Sequence, residues 1–390
     1  LVEKILWLTP RVNRLYVLIR PKRRFGKQIM SGEDRLRKEL FKSTVFDRLA
    51  VKYGEELETF LSEKVIAVVG DVSKLRLGLA SEVYEQLLNE VDIIINSAAV
   101  VSFDASLEDA FELNALSAER VAIFANACKR ALLVHISTAY VSGADRRVVP
   151  ETIHHSPVPG EELELYPTGK FANIQREVEH LKRVIRTIHA DSESKAVGRE
   201  LKATLLSRAR KSGRTGKSGL SQGRIDALRN RWTTDRLTKE GLLWARKRGW
   251  HDTYTYTKAL GEQLLVQKRQ PEAPTVIIRP SVIESSLAEP SPGWLDGLRM
   301  ADPLIVAIGK GRLRSLPLNP KIPLDLVPVV RSGESFPLGC MRTHMAHFVV
   351  RNLREQAQVT GLDGLSRALP DRFDEHLDIS FGHRPELNIS

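Results

Sequence analysis

Short apolar runs closed by polar or small residues alternate with stretches of helical spacing along most of the chain. Leu15–Tyr16–Val17–Leu18–Ile19, stopped by Arg20–Pro21, reads as a buried strand. Three more follow at residues 65–71, 91–99 and 132–138, and a fifth at 275–281. Helical spacing fills residues 32–52, 81–89 and 107–130, while residues 1–8 read as the back half of an amphipathic helix ended by Thr9–Pro10. Continuous apolar strands alternating with helices predict an α/β fold with a doubly wound parallel sheet covered on both faces. Such sheets bind ligands beyond the carboxyl ends of their strands, where Arg20, Gly70–Asp71, Ser97–Ala98–Ala99 and Ser137–Thr138 stand. These ends are expected to converge on one crevice.

A dinucleotide fold needs a first strand and a Gly-rich turn whose backbone amides approach the pyrophosphate. The chain is read as beginning inside the helix that would follow, so an N-terminally truncated sequence without its first, central strand is expected. The first residues lack a basic leader and a small-residue cleavage site, which argues against a signal peptide. No run of eighteen apolar residues is present to span a bilayer. Two cysteines in 390 residues make neither a disulfide framework nor a zinc site, and a cytoplasmic location is expected.

The formal net charge of +11 is concentrated: residues 195–248 carry about 16 Lys and Arg against about 4 acids. This arm could meet RNA, an anionic membrane or a phosphorylated substrate such as coenzyme A; its plainer reading is a solvated helical arm hinged at residues 211–219. The Gly-rich hinge is not a P-loop, since its glycines are too closely spaced and no strand precedes it.

The chemistry concentrates in Trp250–His251–Asp252–Thr253–Tyr254–Thr255–Tyr256–Thr257–Lys258. Tyr254 lies four residues before Lys258, on one helix face, where the ammonium should favour the phenolate. The strand at 275–281 follows. Ser137 or Thr138 would donate to a carbonyl oxygen as charge develops, Tyr254 would supply a proton, and Lys258 would also bind a nicotinamide ribose. A second Tyr-x-x-x-Lys pair, Tyr166 and Lys170, competes, but Pro167 and Gly169 lie inside it and no strand follows at the right distance. Tyr256, with Leu260 four residues on, reads as a packing or substrate-wall aromatic. Arg20, helped by Lys22 and Arg23, ends the strand that normally meets the adenosine ribose, and favours NADP(H) over NAD(H). Asp71 and Val72 are expected by the adenine, with Ser97, Ala98 and Ala99 close to the cofactor. Asn114 reads as bonding a neighbouring strand. Cys128 reads as a buried small hydrophobe, and the scattered histidines show no metal spacing.

Tyr254 and Lys258 with Ser137 resemble the signature of the short-chain dehydrogenase/reductases, a Rossmann-like superfamily. More specifically, Tyr16–Val17–Leu18–Ile19–Arg20–Pro21–Lys22, Gly70–Asp71–Val72–Ser73, Ser97–Ala98–Ala99–Val100–Val101–Ser102–Phe103–Asp104, His135–Ile136–Ser137–Thr138–Ala139–Tyr140–Val141 and Glu289–Pro290–Ser291–Pro292–Gly293–Trp294–Leu295 are similar to the fatty acyl-CoA reductases, the alcohol-forming bacterial type above all. The likeness covers about residues 1–329. It implies NADPH-dependent reduction of a long-chain acyl-CoA to aldehyde and on to a primary alcohol, with Ser137, Thr138, Tyr254 and Lys258 catalytic. It places Pro280, Ser281 and Val282 in the nicotinamide-side loop, after Arg279. Peripheral membrane contact is allowed and no nucleic-acid partner is expected. The organisation that follows is a truncated dinucleotide-binding domain over 1–180, a basic helical insertion over 181–250, the Tyr/Lys helix with its strand and a substrate-side region over 251–329, and an atypical tail over 330–390. Alternatives are a reductase of carrier-protein thioesters, a sugar or steroid epimerase-dehydrogenase of the same superfamily, and a non-catalytic protein binding cofactor or nucleic acid.

Overall fold

A computed structural model describes residues 1–24, 27–102, 104–144, 173–211, 221–270, 273–298, 301–315 and 326–328. In chain order its elements are α1 (Val2–Leu8), β1 (Leu15–Ile19), β2 (Lys22–Arg24), β3 (Lys27–Met30), α2 (Gly32–Arg35), α3 (Asp47–Tyr53), α4 (Leu57–Lys64), β4 (Val65–Val69), α5 (Ser81–Glu90), β5 (Ile93–Asn96), α6 (Leu107–Ala110), α7 (Ser117–Ala127) and β6 (Leu132–Ile136). There follow α8 (Ile174–Ser192), α9 (Lys195–Lys211), α10 (Gln222–Lys247), α11 (Thr253–Lys268), β7 (Thr275–Ile278), β8 (Val282–Glu284), α12 (Asp302–Gly309) and β9 (Leu326–Pro328). Compactness divides the chain into two units: Leu1–Val69 with the chain from Pro280 onward, and Gly70–Arg279.

In the first unit β1 and β4 pair in parallel, Leu15 opposite Val65 through Ile19 opposite Val69. Their apolar side chains pack on Leu6, Leu36, Phe46, Leu49 and Leu61, which the helices supply at helical spacing. Helix α2 runs into a π-helical turn, Leu36–Leu40, and is capped by Ser31, whose hydroxyl accepts from the Asp34 amide. An ion cluster of Glu3, Lys4, Arg48 and Glu289 ties α1 to α3 and to the segment after β8. Residues Lys22–Arg24 and Lys27–Met30, given no element by the apolar pattern, pair antiparallel as β2 and β3. Strand β8 finds β9 in parallel across more than forty residues, a pairing that no local pattern announces.

The second unit holds a parallel ladder in the order β5–β6–β7. Leu132, Leu133 and Val134 are buried at its centre, as a strand covered on both sides requires. Parallel strands with helical crossovers make this the expected α/β, Rossmann-like arrangement. Helix α11 packs on α7 and on a second π-helical turn, Phe111–Leu116, with Gly261 at the closest approach. Helices α9 and α10, which carry the basic arm, belong to this unit with α8, α10 resting on α8, α6 and α11. Tyr166, Lys170, residues 212–220 of the hinge and the tail at 330–390 lie outside the described residues. Among the described residues no helix is long and apolar enough to cross a membrane.

Candidate active site

Strand β6 ends at Ile136, and the next two residues, Ser137 and Thr138, are buried against the start of α11. Ser137 continues the ladder, its amide donating to the Ile278 carbonyl at 2.7 Å. The Thr138 hydroxyl caps the 3-10 turn at Ala139–Ser142. Asp252 caps α11, accepting from the Thr255 amide at 2.8 Å, and so fixes Tyr254 in the first helical turn. One turn on, Lys258 donates to the Ile136 carbonyl at 2.6 Å while only 2% of its surface is exposed.

The structure therefore brings the four expected groups to one place. Tyr254 and Thr138 share a hydrogen bond, Lys258 is tied to the residue before Ser137, and the Ser137 hydroxyl is buried with no hydrogen-bond partner among the described residues. A buried hydroxyl without a partner costs stability, about 1–3 kcal/mol, and this one is available to an incoming oxygen.

The electrostatics depart from the sequence expectation. Burial pushes the Tyr254 phenol above its ordinary value, the Thr138 hydrogen bond pulls it down and the Asp252 carboxylate adds to the rise. Lys258 was expected to lower it; instead the ammonium is directed at a backbone carbonyl. Burial drives Lys258 itself down to about 8, with Glu262 pulling it back up. His135, on β6, is wholly buried; burial, with Lys258 nearby, pushes it well below the ordinary histidine range, and its Nδ1 lies 3.1 Å from the Asn96 amide nitrogen.

Asn114 does what its sequence position suggests: its side chain bonds the Val100 amide and carbonyl just beyond β5, and donates to Thr257 at 3.1 Å. Tyr256 is fully buried and donates to Glu177 at 2.6 Å, so it is a packing residue with an anchored hydroxyl. Cys128 is buried, and burial raises its thiol to about 11, which leaves almost no thiolate at neutral pH.

The remaining predicted residues occupy strand ends in their own units. In the first unit, Arg20 is exposed after β1 and its carbonyl accepts from Arg35, while Lys22 pairs with Glu39 at 3.1 Å. Ser281 is buried between Pro280 and Val282, which opens β8. In the second unit, Asp71 organises its own loop: its carboxylate accepts from the Ser73 amide and its amide donates to Leu77. Val72 is half-buried beside it, and Ser97, Ala98 and Ala99 follow β5 with little side chain in the way. Small residues there and the partnerless Ser137 hydroxyl are features that fit a nicotinamide cofactor and a carbonyl substrate.

Sequence reading passed over Glu262 and Glu177. Glu262 stands four residues after Lys258, a spacing that marks it in retrospect, and is clamped by Arg279 through Nε at 3.1 Å and Nη2 at 2.7 Å. Glu177 accepts from Tyr256, from Trp244 at 2.8 Å and from Arg248 at 3.0 Å, partners 67 to 79 residues away that no local signal joins to it.

A family model described as male sterility protein, an NAD-binding family, matches residues 1–330. The chain is 32% identical over 329 residues to fatty acyl-CoA reductase 2, chloroplastic, of Arabidopsis thaliana, covering 84% of this chain and 46% of that protein. It is 31% identical over 329 residues to the alcohol-forming fatty acyl-CoA reductase of Simmondsia chinensis, covering 84% and 57%. Among solved structures, the terminal R domain from the myxalamid PKS-NRPS biosynthetic pathway aligns at 19% identity with a TM-score of 0.39, over 84% of this chain and 55% of that one. The chain spans about half the length of the curated relatives it matches. On a match that takes in every described strand and helix, the chain belongs to the NAD-binding male sterility protein family.

Proposed function

We propose that the protein is an NADPH-dependent reductase of long-chain fatty acyl-CoA, forming the aldehyde and then the primary alcohol with release of coenzyme A. The observation that carries this reading is the grouping of buried Ser137, Thr138 and Lys258 with half-buried Tyr254, in which one hydroxyl lacks a partner among the described residues and a phenol is hydrogen-bonded to a neighbouring hydroxyl. The names of the relatives support the choice of substrate.

The bound nicotinamide supplies the hydride. Ser137 and Thr138 donate to the thioester oxygen, which draws charge off the carbonyl and stabilises the oxyanion as it forms. Tyr254 then gives that oxygen a proton, and its position above the ordinary phenol range keeps the proton in place until the oxyanion asks for it. The hemithioacetal returns the proton to Tyr254 as the carbon–sulfur bond breaks, and coenzyme A leaves as its thiol after taking a proton from solvent. The aldehyde carbonyl takes the same hydrogen bonds in a second round. Lys258, held by Ile136, would face the ribose and keep positive charge beside Tyr254. Cys128, with its raised thiol, is not suited to a covalent acyl-enzyme.

Arg20 is assigned the 2′-phosphate, assisted by Lys22, and the basic helices α9 and α10 are assigned coenzyme A or the surface of the membrane that holds the substrate, in a cytoplasmic protein. The purified protein should oxidise NADPH when palmitoyl-CoA is added, and Tyr254→Phe should lower that rate at least a hundredfold, the scale of one general acid. A Tyr254→Phe protein that keeps its rate removes the assigned acid. Turnover only with a carrier-protein thioester or a sugar would move the substrate within the superfamily, and Arg20→Asp should shift preference toward NADH.

A further inference from the structure

Tyr254, Lys258 and Glu262 follow one another at four-residue steps, which sets them along one face of α11. Lys258 and Glu262 are the two charged groups on that face that are almost fully removed from water, at 2% and 1% exposure. A carboxylate so deep needs a fixed cation, and Arg279, leaving β7, provides one through a two-point contact. Lys258 makes its hydrogen bond to the Ile136 carbonyl instead. We propose that Glu262 is a positioning residue for Lys258: its carboxylate, locked by Arg279, sets a fixed negative charge one helical turn beyond the ammonium that the Ile136 carbonyl anchors; as a role in turnover this rests on the catalytic reading above.

The surroundings of Lys258 leave this task to Glu262. His135 on β6 is kept neutral by burial and by Lys258, so it offers no counter-charge. Tyr254, its phenol held above the ordinary range by burial, offers no counter-charge, and Tyr140, on the 3-10 turn after β6, is exposed. Several acids of the elements packed on other faces of α11 are engaged elsewhere: Glu112 with Arg120, Glu119 with Lys268, Glu108 with His189, and Glu177 with Arg248. Asp109 is held by the capping Ser106 and Asp252 caps α11 itself. Glu262 is the group whose field opposes the burial of the Lys258 ammonium.

The test reads Lys258 directly, without cofactor. The full chain is labelled competitively with acetic anhydride across a pH series, and the Lys258 peptide is followed by mass spectrometry. In E262Q the pH of half-reaction should fall by about one unit or more, and E262D should restore it to within about half a unit. A folded E262Q with an unmoved midpoint overturns the proposal. Should E262Q fail to fold because Arg279 is left unpaired, the double variant E262Q/R279M replaces the pair with neutral groups; its midpoint should still fall by about half a unit, and an unchanged value overturns the proposal as well. In turnover, E262Q should lose kcat on the alkaline side of the profile with KM little changed. A shifted labelling midpoint in a protein that shows no NADPH-dependent turnover would sink the catalytic reading and leave the hold on Lys258 standing.

Discussion

Gly261→Ala isolates the contact that seats α11 on the π-helical turn at Phe111–Leu116. A methyl at Gly261 would lie 2.2 Å from the Asn114 carbonyl oxygen and 3.2 Å from its carbonyl carbon, where 3.0 Å is the least that real Cβ atoms show. One side must therefore retreat by about 0.8 Å (3.0 − 2.2), and both are backbone. The Asn114 backbone cannot move without loosening the bonds its side chain makes to Val100 and Thr257. Crowding of this kind costs about 1–3 kcal/mol, and here two bonded elements must shift, which places it toward the upper end. Against this, glycine to alanine inside a helix gains about 1 kcal/mol. The net is a loss of about 1–2 kcal/mol, or a fall of roughly 2–8 °C in Tm for a unit of this size. Gly198→Ala on α9 is the control: nothing lies within 4 Å of the added methyl, so it should raise stability by about 1 kcal/mol. Thermal melts followed by circular dichroism compare the three proteins. If Gly261→Ala melts at or above the parent while Gly198→Ala behaves as stated, the close packing of α11 on Asn114 is wrong.

Three more outcomes are expected. Lys258 titrates near 8 folded against 10.5 unfolded, so between these values the unfolded chain binds more protons and native stability rises with pH. The burial cost, of order 3 kcal/mol, is therefore fully present below pH 8 and gone above 10.5; urea unfolding at pH 7.5 and 10 should show this gain in the parent and its loss in Lys258→Met. Tyr256→Phe removes one of the donors to Glu177 and should cost about 1–2 kcal/mol, whereas Glu177→Ala strips Arg248 of its partner and should cost about 3–5 kcal/mol, read as Tm. Cys128 in the native protein should resist iodoacetamide at pH 8, and Cys128→Ser should keep NADPH turnover; a large loss of turnover would bring a thiol back into the mechanism.

Most of the parallel strands could be read from mostly apolar runs such as Leu132–Ile136 because a strand buried on both faces admits few polar residues, His135 being one that finds a partner in Asn96. Tyr254 and Lys258 were legible because four-residue spacing on a helix is a geometric statement in itself. The β2–β3 pair was hidden by its charges, since antiparallel backbone pairing needs no apolar pattern in the sequence. The direction of the Tyr254 shift was also out of reach: spacing locates a neighbouring ammonium but says nothing about how deeply the phenol sits or where the ammonium points. Glu177 illustrates a third limit, because its donors come from helices whose meeting depends on tertiary packing alone.

That same carboxylate has a bearing on how such proteins can diverge. Glu177 lies in the first turn of α8, and Trp244 and Arg248 lie at the far end of α10, so the helical excursion is buttoned at its root beside α11. Farther out, the opening of α10 is held separately, by Arg229 on the carbonyl of Ser192 at the end of α8. Evolution can thus lengthen, shorten or recolour the charge of the outer loop to suit a new surface while the reacting centre stays undisturbed.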